Sequence, residues 1–403
     1  MRRRRVKITG IGVVSSAGIG RERFWRGLNE SGSHIKPFAK ISREWGRFSA
    51  AWIDTSLMHE GLELTPALRA AARHTRMAVL AAKLALSDAH LEAQELANKR
   101  VGVFTGTSLM DFGAITTETE SVAQKGLKGV HARLVFSASV AHVAATVGES
   151  LGLRTKNMTY QSSCCSGLDA IGHAAQSIES GECDLIVCGG SEAPLFKHPM
   201  IEFRAVGMTT GTDELAAEQC RPFDLWRTTG VIGEGAAIVV LEPEESPREG
   251  IADVIGYGFS SDPAGAVCGG MDQSIRLAVT DAQLGLDSIE VISAWGPGHR
   301  LIDAAEARQL RAIFGSRISG VPTYSIKGSV GNPLAAAGPM QVAAAAIGLQ
   351  VSRVPPTVNF RARDPDCELC LSPTALSFAH KFALVNTHGV NGTNSALVLK
   401  RAS

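Results

Sequence analysis

Two adjacent cysteines, Cys164 and Cys165, stand where an extended run turns into a helix-forming run. Their neighbours in the segment 162–167 are serines and a glycine, which are small. A helix N-terminus stabilises a thiolate and presents backbone N–H groups to a developing oxyanion. The pattern therefore indicates a nucleophilic cysteine. The competing interpretation is that both cysteines are small packing residues at a tight contact between strand and helix.

The elements that must position this segment are short β-branched runs alternating with apolar, helix-spaced stretches. Predicted strands are Val6–Thr9, Val101–Thr105, Leu185–Cys188, Ala237–Leu241, Asp253–Gly258 and Val291–Ala294, followed by a hairpin of Phe382–Asn386 and Ser395–Leu399. Predicted helices are Arg69–Ala89, Leu168–Ser180 and Leu334–Leu349. Strands separated by helices require crossover connections, so an α/β protein with a largely parallel sheet is expected.

The length and composition suit one large domain or two fused ones, because 403 residues with 45% hydrophobic content can bury a sizeable core. A second half begins near Gly250, after the turn-forming segment 243–247. We therefore expect an N-terminal half, 1–250, and a C-terminal half, 251–403. No low-complexity linker separates them, so the halves should share one core.

The charge balance gives no sign of a nucleic-acid or polyanion binder, since the formal net charge is +1. The basic run Arg2–Arg5 precedes a stretch too short and glycine-broken for a signal peptide. No window reaches the roughly eighteen uninterrupted apolar residues of a membrane span. We expect a cytoplasmic protein.

The eight cysteines are expected to be reduced thiols, because no secretory signal accompanies them. Cys367 and Cys370 have CxxC spacing, but neither a second such pair nor paired histidines accompany them. They are interpreted as ordinary thiols, and no bound metal or cofactor is expected.

Several motifs along the chain share one order and spacing. They are Cys-x-Ser-Gly at 164–167, the run Ile186–Glu192, Arg221–Asp224 and Gly233–Ala236, with Val6–Gly12 near the start and Gly392–Asn394 near the end. Each is weak alone, but in series they are specific and cover nearly the whole chain. Together they resemble the β-ketoacyl-acyl carrier protein synthases, or ketosynthases, of type II fatty acid and polyketide biosynthesis, in the thiolase superfamily.

The resemblance implies a thiolase-like fold, with duplicated βαβαβαββ halves forming a five-layered α-β-α-β-α core, and a dimer. It also implies substrates carried as thioesters on the phosphopantetheine arm of an acyl carrier protein. In an active member the cysteine takes the acyl group, and two histidines help to decarboxylate the malonyl unit whose carbanion attacks that thioester. The match places the nucleophile at Cys164.

Both family histidines are replaced. Trp295 stands at the first position and Asn332 at the second, whereas the family lysine remains as Lys327. His299, four residues beyond Trp295, is interpreted as a surface or packing residue. An imidazole exchanges a proton near neutral pH, whereas an indole only donates and an amide hardly titrates. General acid-base groups typically contribute about 10²- to 10⁴-fold each, so decarboxylative condensation should be crippled.

The glycine-rich end also departs from the family, because Val390 replaces a phenylalanine that gates the acyl pocket. Its backbone N–H can still form an oxyanion hole with that of Cys164. The same match assigns Cys165, Asn391 and Thr393 to substrate binding. Lys327 is expected to be buried in an electrostatic or structural role, and Trp295 to narrow the cavity.

Three residues of the family motifs, Arg221, Asp224 and Glu234, are interpreted as scaffold that holds a loop near the nucleophile rather than as reacting groups.

Three functions follow from this pattern, and the chain's own catalysis stays open. The first is a chain-length-factor-like subunit that pairs with an intact ketosynthase, although many such subunits lack the cysteine. The second is an acyltransferase that passes an acyl group from Cys164 to a thiol, an amine or an alcohol. The third is an atypical condensing enzyme in which Trp295 and Asn332 donate hydrogen bonds, with Lys327 or His299 supplying charge. Expected partners are an acyl carrier protein and a ketosynthase homologue or a second copy.

Overall fold

The computed structural model describes residues 4–30, 32–60, 62–63, 65–132, 134–209 and 215–402. Of the predicted basic leader, Arg2 and Arg3 lie outside the described residues. Arg5 is described, and its guanidinium forms an ion pair with the Glu244 carboxylate at 3.1 Å.

Strands and helices alternate through most of the described chain. The strands are β1 Val6–Ser15, β2 Gly18–Ile19, β3 Lys36–Pro37, β4 Ser49–Ala50, β5 Val101–Gly106, β6 Thr155–Tyr160, β7 Leu185–Glu192, β8 Gly235–Pro243, β9 Ala252–Ser261, β10 Val291–Ser293, β11 Thr323–Tyr324, β12 Arg353–Val354, β13 Leu376–Ser377, β14 Phe382–His388 and β15 Thr393–Arg401. The α-helices are α1 Arg21–Glu30, α2 Thr55–Glu60, α3 Pro66–Ala70, α4 Arg73–Asp88, α5 Ala93–Leu96, α6 Phe112–Lys125, α7 Leu134–Ser137, α8 His142–Ser150, α9 Ser166–Glu179, α10 Lys197–Ala205, α11 Met271–Asp281, α12 Arg300–Phe314, α13 Lys327–Val330 and α14 Ala337–Val351.

Ten strands follow one another in the order β11-β10-β14-β15-β9-β1-β8-β7-β5-β6, and β2 joins them by pairing with β1. Strands β5, β6 and β7 pair in parallel, as do β10, β11 and β14. The ladders of β8 with β1 and β7, and of β15 with β9 and β14, are antiparallel. The prediction of a largely parallel sheet was therefore wrong. Direct returns of the chain, such as the turn between β14 and β15, reverse direction without a crossover helix.

The strands divide into two packed groups with helices inside and outside. Helices α9 and α14 pack against each other and against strands of both groups, whereas α4 and α8 cover one group and α11 and α12 cover the other. This arrangement matches the expected five layers. Among the described residues, one helical segment, Leu334–Val351, is long and apolar enough to cross a membrane. Of this segment, 89% is buried inside the protein. That burial is typical of a core helix.

Two predicted helices differ from the observed ones in their bounds. The predicted helix 69–89 is interrupted, because Ala71 is extended and α4 begins only at Arg73. The Arg73 guanidinium donates to the Ile53 carbonyl and to the carboxylate of Glu234, which fixes the chain at this break. The predicted helix 334–349 begins as a 3₁₀ turn, and the α-helical part starts at Ala337.

The predicted hairpin near the C-terminus was confirmed, with β14 and β15 paired from Phe382↔Lys400 to His388↔Asn394. The predicted helix 168–180 was also confirmed as α9, which begins two residues earlier, at Ser166. These two elements meet at the segment that carries Cys164.

Candidate active site

The turn that carries Cys164 lies between the end of β6 at Tyr160 and the start of α9 at Ser166. Ser163 adopts a positive φ of 59°, which presents the next residue at the head of the helix. Gly167 lies so close to the turn before α14 that a Cβ there would collide with the Ala335 carbonyl oxygen. The small residues of the motif thus allow a sharp turn and close packing.

A buried carboxylate holds this turn to the C-terminal half. Asp169, on the first turns of α9, accepts hydrogen bonds from the hydroxyls of Ser162, Ser395 and Tyr257, the last at 2.8 Å. These bonds join the turn to β15 and β9. The position of Cys164 therefore depends on both halves.

The Cys164 side chain is only 3% exposed and belongs to an apolar cluster, here called the Cys164 cluster. Its buried members are Phe38, Ile41, Phe48, Ala50, Cys164, Leu195, Met200, Ile232, Trp295, Leu334 and Ala337. Burial raises the pKa of the Cys164 thiol to about 12, with smaller contributions from Cys165 and Glu192, and the Val390 N–H and Lys327 oppose this. The thiol is thus neutral at pH 7, since desolvation outweighs the helix N-terminus.

The backbone N–H of Val390 makes a hydrogen bond to the Cys164 sulphur, and its role as an oxyanion donor stays a prediction. Hydrogen bonds from Gly389 N–H to the Thr393 carbonyl and from Gly392 N–H to the Gly389 carbonyl fix this turn, at 2.8 and 2.9 Å. The Val390 side chain is 53% exposed, so it does not cover the thiol. The turn therefore keeps the Val390 backbone N–H as a hydrogen-bond donor, and it has no large side chain at residue 390 to close the acyl pocket.

Of the residues assigned to substrate binding, two anchor the turn. Cys165 donates to the Thr393 carbonyl at 3.4 Å and accepts from the Thr387 hydroxyl at 3.4 Å, and burial raises its pKa to about 12. Thr393 donates its hydroxyl to the Ser162 carbonyl at 2.9 Å. Asn391 is exposed at the tip of the turn. Cys165 and Thr393 therefore hold α9 to β14 and β15.

Trp295 is 2% exposed and packs in the same cluster as Cys164. Its backbone N–H donates to the Glu306 carboxylate at 2.7 Å, and its carbonyl accepts from Lys327 Nζ at 2.5 Å. The same ammonium lies 3.7 Å from the centre of the indole ring, within the range of a cation–π contact. Glu306 and Lys327 thus hold the backbone of Trp295, and Lys327 also contacts its indole ring.

Lys327 is fully buried, as the family match predicted. Besides Trp295, its Nζ donates to Gln341 Oε1 at 3.4 Å. Burial lowers the pKa of Lys327 to about 7, and the nearby Glu306 carboxylate opposes that change. Lys327 therefore links the Trp295 carbonyl to Gln341 by hydrogen bonds inside the core.

We expect the pH dependence of stability to report this burial. Between the folded pKa of about 7 and the usual lysine value of about 10.4, the unfolded chain binds more protons than the folded chain, so this lysine makes the free energy of unfolding rise with pH. Urea unfolding from pH 7 to 8.5 should show the wild type gaining up to about 1 kcal/mol per pH unit relative to Lys327→Met. Parallel pH profiles for the two proteins would contradict the assignment.

Glu306 and Asp303 are buried carboxylates whose roles the sequence did not reveal. Glu306 accepts from the backbone N–H groups of Trp295 and Gly296, each at 2.7 Å, and from the Asn386 amide at 2.8 Å. Asp303 accepts from the N–H of Phe223 at 2.7 Å. Burial raises the pKa of both carboxyl groups, to about 7 for Asp303. They fix the loop that begins at residue 295.

Asn332 is held by its backbone rather than by its side chain. Its N–H donates to the Val231 carbonyl at 2.7 Å, and its carbonyl accepts from Gly233 N–H at 3.0 Å. The buried Oδ1 has no hydrogen-bond partner among the described residues. The amide therefore does not reproduce an imidazole's proton exchange.

His299 begins α12, where its ring Nδ1 accepts from the N–H groups of Leu301 and Ile302 at 3.2 and 3.4 Å. This is a helix N-cap, a role typical of Ser or Asp that the sequence analysis did not assign to this histidine. The packing interpretation of His299 agrees with this position.

The predicted scaffold residues form hydrogen bonds within loops. Asp224 accepts from the N–H groups of Trp226, Arg361 and Ala362. Glu234 binds Arg73, with Nε to Oε2 at 2.7 Å, and Arg221 Nε donates to the Glu218 carbonyl at 2.7 Å. These contacts hold the loops around the Cys164 cluster.

Taken together, the site offers a neutral buried thiol, one aimed backbone donor and an anchored indole. A thiol with an oxyanion donor can exchange acyl groups once it is deprotonated. Decarboxylation also needs a group that stabilises the developing enolate and exchanges a proton. Neither Trp295 nor Asn332 provides that exchange.

Comparisons with known proteins agree with this architecture. The model of the β-ketoacyl synthase N-terminal domain matches residues 3–246, and that of the C-terminal domain matches residues 252–361. The tetracenomycin polyketide synthase ketoacyl synthase alpha subunit of Streptomyces glaucescens is 30% identical, over 99% of this chain and 97% of its own.

Two solved structures are similar over the whole chain. The ishigamide ketosynthase/chain length factor has a TM-score of 0.92 and 28% identity, covering 100% of both chains. The AntDE:AntF complex, a type II PKS acyl-carrier protein with its ketosynthase bound to the hexaketide, has a TM-score of 0.90 and 26% identity over 99% of this chain and 100% of its own. The fold is thus the thiolase-like ketosynthase fold, and the chain belongs to the β-ketoacyl synthase family.

Proposed function

We propose that this chain is a chain-length-factor-like subunit, which pairs with an intact ketosynthase and does not itself perform decarboxylative condensation. The observation that carries the proposal is Trp295, buried beside Cys164 and held by Glu306 and Lys327. An indole fixed at the position of the first family histidine both removes the proton-exchanging group and fills the cavity. The growing chain would then be bound at the partner's cysteine.

An unpaired sheet edge supports association with a second chain. Strand β6 ends the strand order, and Met158 on it is 41% exposed. Nearby in sequence, the α6–α7 region exposes Leu127, Val135 and Phe136, the last at 70%. An open edge with large exposed apolar side chains is typical of an interface.

The chain's partners follow from this role. We propose that an acyl carrier protein delivers thioesters on its phosphopantetheine arm to the heterodimer in the cytoplasm. We also propose that the halves 1–250 and 251–403 fold as one unit, because Asp169 in the first half is bonded to Tyr257 and Ser395 in the second.

A second function, acyl transfer through Cys164, is favoured by the Val390 N–H directed at the sulphur. This arrangement would accept an acyl group from a thioester once solvent or a partner opened the cluster. The donor thiol would leave with the proton of Cys164, and a second thiol, an amine or an alcohol would take the acyl group.

Co-expression with an intact Cys-His-His ketosynthase, followed by mass measurement of the complex, tests the proposal. We expect a heterodimer whose ketosynthase cysteine is acylated by acyl-carrier-protein thioesters, whereas Cys164 stays unmodified. The same incubation with Cys164→Ala in the complex should leave the products unchanged. An acyl adduct that depends on Cys164 would instead support acyl transfer. A stable homodimer that does not bind the co-expressed ketosynthase would overturn the subunit assignment.

A further inference from the structure

One asparagine of the chain is followed directly by a glycine. It is Asn391, before Gly392, in the turn that carries the Val390 N–H, and the sequence contains no other Asn-Gly pair. The Asn391 side chain is exposed, and no hydrogen bond to another described residue holds it. An exposed amide beside a glycine favours attack of the glycine nitrogen on the side-chain carbonyl, because glycine has no Cβ to shield that nitrogen.

This reaction needs only the two residues and water. The Gly392 backbone nitrogen loses its proton and attacks Asn391 Cγ, so that a new C–N bond closes a succinimide ring. The Cγ–Nδ2 bond breaks, and ammonia leaves with the proton. Water then opens the ring at either carbonyl, which gives an aspartate or an isoaspartate whose main chain is longer by a methylene group. No oxidant, reductant or cofactor takes part.

The attacking nitrogen is also the donor that closes the turn. Gly392 N–H donates to the Gly389 carbonyl at 2.9 Å. Ring closure consumes this N–H, so the hydrogen bond is lost in the succinimide, and the longer main chain of isoaspartate changes its geometry. The reaction requires the turn to open first, and an exposed tip opens at a lower free energy than a buried strand does.

The aspartate product adds a charge next to an existing carboxylate. The Asp262 N–H donates to the Gly392 carbonyl at 2.6 Å, and a Cβ built on Gly392 would lie 3.6 Å from Asp262 Oδ2. The Asp262 carboxylate is fixed in place, because it accepts from the N–H groups of Cys268 and Gly270 at 3.0 and 2.8 Å. Like charges at this range repel, so a carboxylate at residue 391 loosens the turn as well.

The turn links this chemistry to Cys164 through Val390. Val390 precedes Asn391 and lies inside the ring that the Gly392–Gly389 hydrogen bond closes, and its N–H bonds the Cys164 sulphur. A turn without its closing hydrogen bond no longer holds this N–H at the sulphur. The modification therefore changes the surroundings of the thiol without altering the thiol itself.

We propose that Asn391 is a self-modification site, which converts slowly to aspartate and isoaspartate, and that this conversion releases the Val390 N–H from Cys164. The site depends only on this chain's residues, so it holds for a subunit and for an acyltransferase alike. The neighbouring Asn386 and Asn394 keep their amides. Both are fully buried, and their Nδ2 atoms donate to Glu306 and Asp262 at 2.8 and 2.7 Å.

Peptide mapping of the full chain, after incubation at pH 8.5 in water labelled with heavy oxygen, tests the modification. Trypsin should release Phe382–Lys400 as one peptide that contains Asn386, Asn391 and Asn394. We expect Asn391 to convert at least about tenfold faster than the two buried asparagines, because only its segment opens easily. Each product should carry a heavy oxygen from ring opening, which excludes conversion before the incubation.

Two controls separate the effect of the glycine from exposure alone. Asn98 is exposed and precedes Lys99, so it should stay unconverted in the same sample. Asn391→Gln keeps an amide but requires a larger ring, and it should stay unmodified. Gly392 is left unchanged, because its φ of 76° favours glycine. Equal conversion at Asn98 and Asn391, or none at Asn391, would overturn the site.

Hydrogen exchange tests the release of Val390. The modified chain is separated by anion exchange on its added negative charge and compared with Asn391→Gln incubated in parallel. We expect faster exchange in the segment 389–393 of the modified chain, and unchanged exchange in α4, which reports global unfolding. Equal exchange of 389–393 in the two samples would overturn the release, as would faster exchange that extends to α4.

Discussion

Replacing Trp295 with alanine is expected to make the Cys164 thiol at least about tenfold more reactive toward iodoacetamide at pH 7.5. The thiol is 3% exposed, and Trp295 is the largest fully buried side chain in the described part of the protein. Its removal leaves a cavity that connects with the Cys164 cluster, so the reagent and water can enter. Hydration lowers the pKa of Cys164 from about 12, which increases the thiolate fraction that reacts.

The same substitution should cost about 3–5 kcal/mol of the free energy of unfolding, as for other large-to-alanine changes in a core. Trp25→Ala is the matched control, because Trp25 packs against a different cluster. Peptide mapping should place the new label on Cys164, and Trp295→Ala with Cys164→Ser should lose it. Equal labelling in Trp25→Ala would show that general unfolding, rather than an opened site, exposes the thiol.

The position of Cys164 and Cys165 between a strand and a helix could be predicted from local sequence, because such a turn of small residues is a short-range pattern. The protonation state could not, since it depends on residues far away in the chain. Phe38, Leu195 and Trp295 belong to the same buried cluster as Cys164, and the burial of that cluster desolvates the thiol. A helix N-terminus contributes about 0.3–1 kcal/mol, less than the effect of complete burial.

The direction of the strands was mispredicted for a similar reason. Apolar β-branched runs identify strands such as β1 and β8, but their composition does not fix parallel or antiparallel pairing. The long connection from β1 to β8 ends in an antiparallel ladder, from Val6↔Pro243 to Val14↔Ala236. The pairing is set by tertiary packing of both strands on α4.

The buried hydrogen bonds of Lys327 and Gln341 near Trp295 could be predicted only in part from the sequence. Lys327 could be predicted as buried through the family match, but its partner Gln341 carries no local signal. Gln341 lies on the apolar helix α14, and its amide donates to the Ser293 carbonyl at 2.9 Å. Its role emerges only when α14 packs against β10.

Replacing Glu306 with alanine is expected to lower the free energy of unfolding by on the order of 4 kcal/mol. The carboxylate accepts from the N–H groups of Trp295 and Gly296 and from the Asn386 amide. Without it, three buried donors lose their acceptor, at about 1–3 kcal/mol for each unsatisfied group. Lys327 also loses the anion that favours its charged form.

Urea unfolding at pH 7 should rank Glu306→Ala below Glu306→Gln, because the amide oxygen of glutamine can still accept one of the three bonds. Glu249→Ala, at an exposed position, should stay within about 0.5 kcal/mol of wild type. Glu306→Ala with Lys327→Met should be more stable than the sum of the single losses predicts, since the uncompensated buried charge is removed. A loss below about 1 kcal/mol for Glu306→Ala would mean that Lys327, rather than this carboxylate, fixes the loop that carries Trp295.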